Sequence, residues 1–333
     1  MGQDGSRKPD VGKRMMHRIV SWGAKLLTAL LGMLWLAGPS QAAPAPATQV
    51  PAPVTQPQSE PHPAIWLLAD ADTRIYLFGT VHVLSPTLRW RSATFDRIAR
   101  SAQELVLELS DEEMSPDNTA AFAAMRMSKS VPVLQRVSPS RRAGLARMLR
   151  ELQIPAGSLD NMETWAVAVL LGVGQMAQEY AGGDTNAAQA AEQASGVEEA
   201  LTREFHANGR PVSGVETARD QINAFRGMPL SVQQAMLDET VDDYVNGQEA
   251  GDPDESDWIS GNLDGIAAEM ETLPPELFES LITRRNRGFA DWLQHRLERP
   301  GTVLFAIGAG HLAGRVSVQS MLESRGLHVQ RIY

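Results

Sequence analysis

Short apolar runs near the two ends of the chain flank long stretches with helical spacing of apolar positions. Ile65–Leu68 and Arg74–Val81 are apolar runs joined by the polar connection Ala69-Asp70-Ala71-Asp72-Thr73, which predicts a β-hairpin. Glu104–Leu109 (ELVLEL) alternates and reads as a strand, and Pro211–Glu216 predicts a short strand after the Asn208-Gly209 turn. Thr302–Ile307 (TVLFAI) is apolar throughout, the pattern of a strand buried on both faces. Leu327–Tyr333 reads as a final strand at one edge. Helical spacing covers Ser92–Gln103, Pro139–Leu152, Met162–Tyr180, Asn186–Ala207, Ser231–Gly247 and Pro274–Leu297. The methionines of the Met127–Met148 region fit core packing. The expected fold is α/β: a central mixed sheet built from N- and C-terminal strands, with a large helical insertion.

The first 63 residues follow a different pattern. Lys13 to Lys25 is basic, and Leu26–Ala37 is an apolar run of 12 residues, followed by the helix-breaking pair Gly38-Pro39. Ser40-Gln41-Ala42 then offers small residues at cleavage spacing. This is the layout of a secretory signal, residues 1–43, cut near Ala42 or Ala43. The alternative is an uncleaved anchor, for which 12 residues are short against the roughly 20 that span a bilayer. Residues 44–63 hold seven prolines and read as an extended linker. The remaining 64–333 form one domain. The expected location is periplasmic or secreted, with no stable membrane span after signal cleavage.

Composition narrows the chemistry. The 333 residues carry a net charge of −10, which excludes a general nucleic-acid binder. Residues 1–43 hold six Lys/Arg against two acids, so the body carries −14. Cysteine is absent, which removes disulfides, thiolate metal sites and a cysteine nucleophile. Any metal must therefore be held by carboxylates and some of the seven histidines. No Gly-x-Ser-x-Gly, Walker A or His-Glu-x-x-His motif occurs. Gly308-Ala309-Gly310-His311-Leu312-Ala313-Gly314 resembles a dinucleotide fingerprint, but its glycine spacing is a variant. Only 19 residues follow it, with no acid placed to hold a ribose.

Four strands end in residues that could share a site. Gly79-Thr80-Val81-His82 and Gly308-Ala309-Gly310-His311 both read as strand–Gly-x-x-His, while the strands of Leu105–Leu107 and Val212–Val215 lead to Glu108 and Glu216. Ligand sites of α/β sheets lie beyond the C-terminal strand ends. Two imidazoles and one or two carboxylates suit a divalent ion. Each residue has a plainer reading: a hydrogen-bonded structural histidine, the polar face of an edge strand for Glu108, or a cap of the helix beginning at Thr217 for Glu216. The shared Gly-x-x-His context, 229 residues apart, sets His82 and His311 apart from His17, His62, His206, His295 and His328. Arg284-Arg285-Asn286-Arg287 reads either as a solvated helix face or as placing Arg285 and Asn286 at the site, with Arg285 steadying an oxyanion.

These pieces resemble the TraB/GumN family, which includes the Tiki proteins within the wider erythromycin-esterase/ChaN-like grouping. The matching segments run in order: Tyr76–His82, Leu105–Leu109, Gly214-Val215-Glu216-Thr217 with Gln221, Arg285-Asn286 and Ala306–Gly314. Two departures stand out: Gly261-Asn262 where members often have Gly-Asp, and Gly196-Val197-Glu198 where Gly-x-Asp is usual. The resemblance implies a metal-dependent hydrolase, a peptidase acting on a peptide or protein substrate and using Mn or Co; imidazole and carboxylate ligands suit Zn as well. It implies His82, His311 and Glu108 as ligands, Glu216 as a further ligand or general base, and Arg285 and Asn286 as site neighbours. The alternative is a non-catalytic protein that binds metal or haem in the same cleft.

Overall fold

The all-apolar run near the C-terminus becomes the middle of the sheet. In the computed structural model, β1 (Ile65–Ala69), β2 (Thr73–Thr80), β3 (Glu104–Leu107), β4 (Val212–Gly214), β5 (Gly301–Gly308) and β6 (Val329–Arg331) form one mixed sheet in the order β4-β3-β5-β2-β1-β6. Strand β5 is flanked by β3 and β2, both parallel to it. Val303 to Ile307 are each 0% exposed, as continuous apolarity requires of a strand covered on both faces. The structure describes residues 61–81, 84, 88–113, 125–127, 129–180, 196–246 and 255–333. The expected signal segment, the linker up to residue 60, and His82 lie outside the described residues.

The hairpin forms as its sequence predicts. Asp70 Oδ1 accepts from the backbone N–H groups of Asp72 and Thr73 at 3.1 and 2.8 Å, an Asx turn that closes β1 onto β2 in antiparallel register. Strand β6 pairs antiparallel with the outer side of β1 and forms one edge of the sheet. The end of the Pro-rich segment is tied down rather than free. His62 N–H donates to Ile259 O at 2.8 Å, and its ring meets Tyr333 edge-on at 6.0 Å.

Helices α1 (Ala93–Ser101), α2 (Arg142–Glu151), α3 (Thr164–Tyr180), α4 (Val197–Ala207), α5 (Ala218–Arg226), α6 (Leu230–Val245), α7 (Glu255–Ile259), α8 (Leu263–Met270), α9 (Pro275–Phe278), α10 (Arg284–Arg296) and α11 (Val318–Ser324) complete the described chain. Among the described residues, the insertion between β3 and β5 contains one strand, β4. Within the insertion, Trp165 through Leu171 of α3 are all buried, because the Trp165–Val173 part of this helix is apolar around its whole circumference. Its Trp165 ring stacks on Phe225 at 5.0 Å. Arg136, 5% exposed, donates to the carbonyls of Val131, Leu159, Asp160 and Met162, and so closes the irregular segment ahead of α3. Burial pulls its pKa down, against the pull of Asp160.

Helix boundaries shift where local chemistry intervenes. The stretch from Pro139 begins as a 3₁₀ turn before α2. The expected Asn186–Ala207 helix is described only from Val197. The expected Pro274–Leu297 helix is divided by a π turn at Glu279–Thr283 between α9 and α10. No helix of the described residues is long and apolar enough to cross a membrane.

Candidate functional site

Four adjacent strands, β4, β3, β5 and β2, run parallel and deliver their C-terminal ends to one edge of the sheet. Their register aligns those ends: Leu107 lies opposite Gly214 and Ala306, and Thr80 opposite Gly308. Glu216, Glu108 and His311 follow β4, β3 and β5 at this edge. Beyond β3 the chain continues beside the segment after β4, because Val215 and Glu216 N–H donate to Leu107 and Glu108 O at 3.0 and 2.8 Å. The two glutamates are thereby held side by side.

Two glycines permit this closeness. A Cβ on Gly214 would meet Ser110 N at 2.7 Å, so the segment after β3 approaches only a glycine there. A Cβ on Gly79 would come to 3.1 Å from Ala309 Cα, in the 3₁₀ turn Ala309–Leu312 that carries His311.

Glu108 is 6% exposed and His311 2%. Glu108 Oε1 accepts from Gly308 N–H at 2.7 Å, and His311 Nε2 lies 3.5 Å from the same oxygen. The other face of the imidazole is fixed by Asn286, which is fully buried. Asn286 Nδ2 donates to Val316 O at 2.7 Å and His311 O at 3.3 Å, which turns Oδ1 toward the ring. With Oδ1 as acceptor, His311 Nδ1 carries the hydrogen across a 2.6 Å contact, and Nε2 is the nitrogen directed at Glu108. Phe289 packs edge-on against the imidazole at 5.0 Å.

Arg285 joins the carboxylates. Its Nε and Nη2 donate to Glu216 Oε1 and Oε2 at 2.8 and 2.6 Å, and Nη2 also donates to Glu108 Oε2 at 2.6 Å. Gln221 Nε2 donates to Glu216 Oε2 at 3.0 Å. Burial works against the charged guanidinium, but Glu216 and Glu108 outweigh it and hold Arg285 above the ordinary arginine range. Arg284 and Arg287 of the same cluster are exposed. Thr217 and Asp220 form the capping box of α5, so the cap role considered for Glu216 falls to its neighbour. Among the described residues, no three His, Cys, Asp or Glu side chains gather as a metal-holding group.

The model of the TraB/PrgY/gumN family matches residues 64–331, nearly all of the folded body. The chain belongs to this family. A 68-residue stretch of the chain is 37% identical to a protein named Metalloprotease TIKI homolog from Amphimedon queenslandica, and covers 20% of this chain and 13% of that protein. No solved structure matches. Of the residues that the family resemblance singled out, Glu108, Glu216, Arg285, Asn286 and His311 meet in one buried network, while His82 lies outside the described residues. Sequence reasoning missed Phe289, although its place three residues after Asn286 on α10 puts both on one helix face. It also missed the Gly308 N–H, a backbone donor that no residue type announces.

Proposed function

We propose that this member of the TraB/PrgY/gumN family is a metal-dependent hydrolase, acting on peptide bonds of a peptide or protein substrate. The observation that carries the reading is the pair His311 Nε2 and Glu108 Oε1, 3.5 Å apart. The spacing is long for a charge-assisted hydrogen bond, roughly 2.7–2.9 Å. It matches two donors, each about 2.0–2.2 Å from one shared ion in a tetrahedral shell. Two carboxylates against one guanidinium also leave a formal charge of −1 at the network, which suits a cation.

In this reading His311 and Glu108 hold the ion, together with His82. A divalent ion there would polarise a carbonyl and lower the pKa of a bound water to about 7. Asn286 holds His311 in the tautomer that presents Nε2. Arg285 fixes Glu108 Oε2 and neutralises part of the acidic charge. Four of its five N–H donors go to Glu108, Glu216 and the Leu281 carbonyl, so we assign it to positioning rather than to an oxyanion. Glu216 is likewise engaged at both oxygens by Arg285 and Gln221, and serves as the anchor of Arg285 rather than as a base. The basic and apolar pattern of residues 13–42 supports export, which places the substrate outside the cytoplasm.

The test is a peptide-library assay of protein loaded with Mn²⁺, Co²⁺ or Zn²⁺, beside His311→Ala and Glu108→Gln. Cleavage by wild type alone supports the reading; equal cleavage by the variants, or none by any form, overturns it. A visible absorption band on haem titration, lost in His311→Ala, would replace it with a haem carrier.

A further inference from the structure

Glu198 is a buried carboxylate that the proposed chemistry leaves unused. It lies in the first turn of α4, 4% exposed, and accepts a hydrogen bond from Thr80 Oγ1 at the last position of β2. Thr80 is itself 2% exposed. A carboxylate taken from water is costly, and the positive end of α4 offsets only part of that cost. An apolar side chain could fill the same space, but it would not tie α4 to a defined atom of β2. The tie is doubled, since Val197 N–H donates to Val81 O at 3.1 Å. Consecutive residues at the start of α4 thus grip consecutive residues at the end of β2.

That strand end supports the site from its far side. Thr80 is register-paired with Gly308, whose N–H holds Glu108 Oε1 at 2.7 Å. Gly79 packs on Ala309, two residues before His311, and its carbonyl accepts from Trp258 Nε1 at 2.8 Å. We infer that Glu198, acting through Thr80, is a positioning residue for the Glu108–His311 pair. The inference rests on the metal reading above.

It is tested by titrating the full chain with Co²⁺ and following the visible ligand-field bands, alongside thermal unfolding. Thr80→Val and Glu198→Ala are expected to bind Co²⁺ about 10–100-fold more weakly than wild type, with altered bands, while still unfolding cooperatively. Thr80→Ser, which keeps the hydroxyl, retains wild-type affinity. Thr80→Val keeps the side-chain shape and carries the test even if Glu198→Ala does not fold. Wild-type affinity and bands in Thr80→Val overturn the inference alone. Failure of the wild type to bind Co²⁺ overturns the metal reading and this inference with it.

Discussion

Replacing Arg285 by methionine keeps much of the side chain's volume and removes one positive charge from between two buried carboxylates. The side chains of Arg285, Glu108 and Glu216 are 12%, 7% and 12% exposed, so water can screen little of what remains. Removing one partner of a buried pair costs about 3–5 kcal/mol. With a urea m-value of about 3 kcal/mol/M, the unfolding midpoint falls by roughly 1–1.7 M at pH 7. The pH dependence has a definite sign. The pKa of Arg285 is raised, so its contribution is complete below the ordinary arginine range and lost only at more alkaline pH. Near neutrality the wild type therefore shows no step from this group. Adding Glu216→Gln to Arg285→Met is expected to restore at least about 1 kcal/mol. A loss below about 1 kcal/mol, the size of an exposed pair, would refute the reasoning.

Asn286→Leu leaves the carbonyls of His311 and Val316 and the His311 Nδ1–H without their partner; it should cost about 2–4 kcal/mol by chemical denaturation and move the His311 ring resonances in ¹⁵N spectra. Gly214→Ala drives a methyl into the Ser110 backbone and should lower stability by about 1–3 kcal/mol, read as a fall in melting temperature. Arg136→Met strips four carbonyls of a shared donor, with an expected loss of about 2–4 kcal/mol and no change in Co²⁺ affinity.

The strands were legible because burial demands are written plainly in them. TVLFAI states a strand covered on both faces, and ELVLEL one that ends in an acid. Chain-end strands meeting at one edge followed from the topology expected of such a sheet. The side-chain directions on α10 were not legible. The π turn at Glu279–Thr283 inserts a residue into the helix, and Ser280, Leu281, Ile282 and Thr283 are all buried across it. No fixed helical period carries across that slip, so Arg285 could be named only as one of three neighbouring arginines. The fate of Glu216 depended on whether Thr217 could supply the helix cap. Asp220, three residues on, is the sequence signal that it does. Glu198 announced itself only as a departure from a family pattern, since its partner Thr80 lies 118 positions away.

The central claim is that His311 and Glu108 share a divalent ion. Anomalous scattering from crystals of the protein loaded with Co²⁺ addresses it directly. A peak is expected within bonding distance of both His311 Nε2 and Glu108 Oε1, lost in His311→Ala. A Co²⁺ peak seated elsewhere, or none at this edge of the sheet, would contradict it.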